Sequence, residues 1–187
     1  IEGGCYRLTY LGGEFIDAVH RGPPSVTGDG HSTIAQLVKL ENRRRLETRP
    51  VSSLQAVLID ADCRNCLRQQ GLSTNSRLPA GKTITLKTVI NESSSRDCQN
   101  VKSQVHPQII AEGAKVVEQL GMTWAGLDIQ CTDVSLPPEE NDYRIIEVNA
   151  PAGIHHHYLI DDPSQVTPVA EHLLEYIFTH KTGVMGI

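Results

Sequence analysis

No run of apolar residues in this 187-residue chain approaches the roughly 20 needed to cross a bilayer. No charged-then-apolar leader opens it, so neither a membrane span nor a signal peptide is expected. There is no excess of basic charge. Lys and Arg number 17 against 22 Asp and Glu, a net charge of −5, which argues against a dedicated nucleic-acid binder. The five cysteines are an odd set without the density of a secreted disulfide scaffold, so a reducing, cytoplasmic setting is expected. No GxGxxG or Walker loop is present. Internal repeats and a convincing linker are missing too, which leaves one unit over 1–187. The first residue is Ile1, not Met, and strand-like sequence begins at once. The chain therefore reads as the remainder of a longer protein. A homo-oligomer is left open.

What is present alternates between strand and helix signals. "YRLTYLGGEFIDAVHR" (6–21) reads as two strands around a Gly12-Gly13 turn, a hairpin. After a turn-rich loop, Ile34, Leu37 and Val38 mark a helix, and Thr33 with Gln36 fits a capping box. "ENRRRLETRP" is a charged exit ended by Pro50, and the second half of 51–71 looks helical. "TITLKTVIN" (83–91) reads as a strand, and "ESSSRDCQN" as a polar loop. A helix is expected from His106 to Leu120 with Pro107 in its first turn. "TWAGLDIQC" and "DYRIIEVN" are strands whose link is too short for a parallel crossover, so they pair antiparallel. A last helix carries Val166, Val169, Ala170, Leu173, Leu174 and Ile177 on one face, with Thr167-Pro168 as cap and first turn. The expected class is α+β, a mainly antiparallel sheet with packed helices.

The chemistry gathers in "RIIEVNAPAG" (144–153). Alternation along a strand puts Ile146 and Val148 on one face and Glu147 and Asn149 on the other. Asp128, on the neighbouring strand, lies opposite the face of Leu127 and Ile129. If the strands pair, two carboxylates and an amide oxygen converge, a hard-oxygen set suited to Mg²⁺ and its phosphate ligands. The pattern alone equally permits Asp128 as a strand-edge residue and Glu147 as a surface carboxylate.

"GLDIQC…RIIEVNAPAG" resembles the C-terminal metal-binding signature of ATP-grasp ligases, in particular cyanophycin synthetases and the related glutathione-synthetase and RimK-type enzymes. The resemblance extends in order through 6–21, "VTGDGHSTIAQLV" (26–38), the stretch 67–91 and "VHPQIIAEGAKVVEQLGM" (105–122). It implies an ATP-grasp C-terminal subdomain over 1–187, with the N-terminal part of that fold outside it. The implied activity is ATP-dependent joining of a carboxylate to an amine through an acyl-phosphate, with ATP and Mg²⁺ as cofactors and an amino acid or short peptide as substrate. Asp128, Glu147 and Asn149 match the metal ligands. Arg7 matches the family's strand arginine, Lys87 stands where cyanophycin synthetases place an arginine near the transferring phosphate, and Asn91 matches the asparagine that follows. Arg21 matches a basic residue after the hairpin, and His155 lies where substrate contacts follow the metal strand. Two departures stand out. Ser95 and Arg96 replace a Gly-Gly, and the lysine-bearing nucleotide half of the family lies N-terminal to this region. A degenerate ATP-grasp domain that binds nucleotide or assembles without catalysis is the alternative.

Other signals weigh less. "CRNC" (63–66) has no second pair at zinc spacing and reads as structural. Three consecutive histidines, His155 to His157, cannot all face one ion from regular structure. Cys98 and Ser93–Ser95 have no visible base partner, so nucleophilic catalysis is not expected.

Overall fold

The computed structural model describes residues 3–47, 56–88, 90, 98–160 and 162–180. They cluster into two compact units: 1–21 with 98–187, and 22–97.

The discontinuous unit is built on a five-stranded sheet, antiparallel throughout. Its strands are β1 (Gly4–Leu11), β2 (Glu14–Arg21), β5 (Cys98–Asn100), β6 (Trp124–Cys131) and β7 (Arg144–Asn149), in the order β5-β2-β1-β6-β7. The expected hairpin forms because Gly12 and Gly13 take φ of 59° and 87°, values that L side chains avoid. The sheet has two chemically distinct faces. On one, Tyr6, Leu8, Tyr10, Ala18, Leu127 and Ile129 meet Ile109 and Val117 of α3 (Pro107–Gln119) in the main apolar core. His106 caps α3, its side chain accepting from the Gln108 N–H, and Pro107 occupies the first turn as expected. The other face is polar and carries the site.

Two irregularities decide what that face contains. In β2 the register slips so that Thr9 faces Asp17 while Tyr10 faces Phe15, leaving Ile16 as a bulge. Phe15 turns to the Tyr10 ring, at 5.7 Å, and Asp17 to the opposite face. In β7, Asp128 faces Glu147 while Ile129 faces Ile145, so Ile146 is the extra residue and is exposed. The expected sharing of a face by Ile146 and Val148 is thereby corrected. Val148 packs against the core and Ile146 does not.

The continuous unit holds α1 (Ile34–Glu47), α2 (Ala61–Gln69) and a two-stranded ladder of β3 (Ser25–Thr27) with β4 (Thr83–Thr85). Ile34, Leu37, Val38, Leu67, Leu78, Ile84 and Leu86 form its core. The capping box is present in both directions: Thr33 N–H donates to Gln36 Oε1 at 2.9 Å, and Gln36 N–H to Thr33 Oγ1 at 3.3 Å. Cys63 and Cys66 sit buried on α2 as free thiols whose pKa burial raises, in keeping with a structural role.

Other sequence expectations are revised. The charged "ENRRRLE" continues α1, because Glu41 turns inward to accept from Arg44 at 2.8 Å and Arg45 at 2.9 Å. Pro50 and 51–55 lie outside the described residues. Among the described residues the strand expected over 83–91 is confined to Thr83–Thr85. Cys98–Asn100, read as loop, pairs with β2 instead. Ser93–Ser95 and Arg96 lie outside the described residues. α4 spans Val169–His180, starting after Thr167-Pro168. The Thr167 hydroxyl donates to Asp17 rather than capping the helix. Among the described residues no helix is long and apolar enough to cross a membrane.

Candidate functional site

Antiparallel pairing lays side chains on the polar face in rows across the strands. One row runs Val19–Arg7–Asp128–Glu147, and the next runs Asp17–Thr9–Gly126–Asn149. The sheet therefore brings together four residues singled out in the sequence: Arg7, Asp128, Glu147 and Asn149. Arg21 reaches the same cluster from the end of β2.

Asp128 is the hub. Arg7 grips both of its oxygens, Nε donating to Oδ1 and Nη2 to Oδ2, the latter at 2.8 Å. Arg21 Nη2 donates to Oδ2 at 2.7 Å. The three side chains are nearly enclosed, with relative exposures of 5% for Arg7, 9% for Arg21 and 5% for Asp128. Burial works against the Asp128 charge, but the hydrogen bond from Arg7 and the charges of Arg21 and Arg7 outweigh it and hold the carboxyl below its ordinary range. Burial likewise works against the Arg21 charge, yet Asp128 and Cys5 leave its pKa raised. The Cys5 thiol accepts from Arg21 Nη2 at 3.4 Å.

Glu147 and Asn149 stand at the rim. Asn149 Nδ2 donates to Glu147 Oε1 at 3.1 Å, which confirms their common face. Glu147 is also the residue directly opposite Asp128 across the β6–β7 ladder. Two carboxyls that close repel unless a proton or cation stands between them. Asp128 offers about four acceptor positions, of which the guanidiniums take three. One Oδ1 position remains, on the face that Glu147 and Asn149 share. All are hard oxygen donors, so the set fits Mg²⁺ with positions left for phosphate. Among the described residues no group of three or more His, Cys, Asp or Glu is arranged to hold a metal. This set falls outside that description because Asn149 is its third member.

Gly126 gives Arg7 its place. A Cβ there would stand 2.9 Å from Arg7 Cδ and 3.2 Å from Ala152 Cβ. After β7 the chain turns back over this face, held where Trp124 Nε1 donates to the Ala152 carbonyl at 2.9 Å. His155 follows, half-buried. Burial, then the charges of Arg7, Arg21 and His157, lower its pKa from the ordinary 6.5. His156 is lowered further, to about 3, chiefly by burial. Both imidazoles are thus held towards the neutral form, by burial first and then by the positive charges nearby.

Lys87 belongs to the continuous unit. Lys87 is buried, and its Nζ donates to Asp60 Oδ2 at 2.7 Å. Asp60 in turn caps α2 through the Cys63 N–H. Asn91 lies outside the described residues. Sequence reasoning missed His157, Asp17 and Thr9, which form a buried chain beside the site. The His run was a signal, but which ring turns inward was not.

No family model matches the chain. It is 29% identical over 184 residues to the cyanophycin synthetase of Synechocystis sp., covering 97% of this chain and 21% of that protein. It is 30% identical over 161 residues to the glutathione biosynthesis bifunctional protein of Clostridium perfringens, covering 84% of this chain and 20% of that one. The bifunctional glutathione synthetase of Pasteurella multocida superposes with a TM-score of 0.72 at 19% identity, over 96% of this chain and 24% of that chain. The chain thus spans about a fifth of the length of the curated relatives it matches.

Proposed function

We propose that this chain, whose homologues are ATP-grasp ligases and whose fold is that of the part of them it matches, supplies the metal-and-phosphate side of a carboxylate–amine ligase site. In that reaction a substrate carboxylate takes the γ-phosphoryl group of ATP, giving an acyl-phosphate and ADP. An amine then attacks the acyl carbon, phosphate leaves, and an amide forms. Both reacting groups of the first step are anionic, so the site must neutralise and align them.

Arg7 and Arg21 carry permanent charge, and Asp128 fixes their planes, so little reorganisation remains when an anion arrives. Their two positive charges balance Asp128 and Glu147, and the cluster gains net positive charge only when it holds a cation. Asp128, Glu147 and Asn149 are the residues assigned to hold Mg²⁺, whose contribution when bound is to neutralise and orient phosphate oxygens. His155, held towards the neutral form, is assigned to the substrate. Lys87 and Asn91 are assigned to the transferring phosphate by the resemblance. Lys87 brings charge without the two-pronged bonding of an arginine. An amino acid or short peptide as substrate, and a cytoplasmic setting, complete the reading.

The observation that carries this reading is the Arg7–Asp128–Arg21 cluster set beside Glu147 and Asn149 on one sheet face. The test is ADP release by the full-length protein with Mg²⁺, ATP and a panel of amino acids. Glu147→Gln is expected to lower the rate on the order of 10²–10³-fold, the usual cost of removing an electrostatic contact to the transition state. Turnover unchanged in that variant sinks the reading. The engagement of Lys87 by Asp60 favours a second reading, binding without catalysis, which predicts nucleotide binding and no ADP release.

A further inference from the structure

Behind the guanidinium cluster lies a second polar group that the proposed chemistry does not use. Asp17, His157 and Thr9 are all fully buried. Asp17 Oδ2 receives His157 Nδ1 at 2.6 Å, and His157 Nε2 meets Thr9 Oγ1 at 2.7 Å. Asp17 Oδ1 accepts from Asn100 Nδ2 at 3.0 Å and from Thr167 Oγ1 at 2.9 Å. An enclosed carboxylate is costly unless its oxygens are satisfied, and here three donors satisfy it. Those donors come from three separate places: β5, the turn after β7, and the segment leading into α4. Asp17 thus ties three lengths of chain to β2, and it can do so because the bulge at Ile16 turns it to the polar face.

His157 is the donor that matters most for the site. The stretch 150–160 has no ladder of its own to hold it, only a short 3-10 turn at His155–His157. It is pinned at one end by Trp124 on the Ala152 carbonyl and at the other by Ile160 in a small apolar cluster with Val19 and Cys98. Between them His157 is the sole side chain of the 3-10 turn that is fully buried, and it points down onto Thr9 and Asp17. His155, two residues earlier, is only half-buried and stays near enough to Arg7 and Arg21 for their charges to lower its pKa. We infer that the buried Asp17–His157 pair, braced by Thr9, positions the 150–160 turn over the Arg7–Asp128 cluster and so sets where His155 meets the substrate.

Asp17 and His157 are positioning residues, acting through His155. The function assigned to His155 rests on the ligase reading, but the positioning itself does not. The experiment uses the full-length protein labelled with ¹⁵N-histidine, the ring resonances being assigned from His155→Gln and His157→Gln. In Asp17→Asn the His155 ring resonances are expected to move together with those of His157, while those of His106, the N-cap of α3, stay in place. Thr9→Val, a milder change, is expected to move the His155 resonances in the same direction and serves if Asp17→Asn does not fold. In parallel, ADP release is measured with the twenty standard amino acids as probes. For a probe that turns over, its KM is expected to rise roughly tenfold in Asp17→Asn, within the range that small misplacements cost, with the KM for ATP unchanged. His155 resonances that stay put in both variants overturn the inference, as does an equal rise in both KM values. The spectroscopic arm decides even if no probe turns over, so failure of the ligase reading and failure of the positioning are told apart.

Discussion

Asp128 shows how one residue takes its meaning from its neighbours. On the sequence it is a lone acid between two apolar residues; in the fold it holds two guanidiniums and faces a second carboxyl. Removing one partner of a buried ion pair typically costs about 3–5 kcal/mol, because the other is left uncompensated. Arg7→Met is therefore expected to unfold at distinctly lower urea, whereas Arg7→Lys keeps the charge, loses the two-pronged grip and recovers part of the loss. The pH dependence follows from the same contacts. The Asp128 carboxyl is held below its ordinary 3.8 in the folded state, so its contribution is fully present above that ordinary value. It is lost as the pH falls through the lower native value. Asp128→Asn is expected to flatten this acid limb of a stability-against-pH curve measured by denaturant titration. At this scale the shared face of Glu147 and Asn149, proposed to hold the metal, was legible because the two are two apart on one strand. The Asp17–His157–Thr9 chain was not, because its members come from three distant places and meet only on the folded sheet.

Strands and helices were read correctly where a strong period met a clear boundary, and misread where a bulge or a partner intervened. The hairpin carries its turn residues, and α1 and α3 carry their caps. β5 is three residues without apolar alternation and exists because β2 offers an edge. The bulges at Ile16 and Ile146 break a period of two that sequence reading has to assume. Close packing between elements yields two expected outcomes. A Cβ on Gly113 of α3 would stand 2.1 Å from the Tyr10 hydroxyl, so Gly113→Ala is expected to cost about 1–3 kcal/mol by overpacking. Combining it with Tyr10→Phe should return part of that, read as a coupling in a thermal-unfolding double-mutant cycle. Gly126→Ala, by contrast, displaces Arg7 and Ala152. It is expected to lower ADP release by the full-length protein more than it lowers Tm.

For the whole molecule the finding beyond the sequence is the division into two units, the second inserted between Arg21 and Cys98. Those two residues are direct partners in the β2–β5 ladder, so the insertion leaves and re-enters at adjacent points. Replacing 22–97 by a two-residue Asn-Gly turn should close a hairpin and leave the five-stranded sheet folded. The check is one cooperative thermal transition with sheet-type circular dichroism; a chain without such a transition refutes it. Every described member of the Asp128 cluster lies in the sheet unit, whereas Lys87 lies in the other. By itself the sequence determined the hairpin, the main helices, the antiparallel pairing of β6 with β7 and the common face of Glu147 and Asn149, because these depend on local period and spacing. The tertiary structure alone decided that Arg7 and Arg21 converge on Asp128, that Asp17 turns towards His157, and that Lys87 pairs with Asp60. Those contacts depend on register, bulges and which segments share an edge, and no local stretch of chain encodes them.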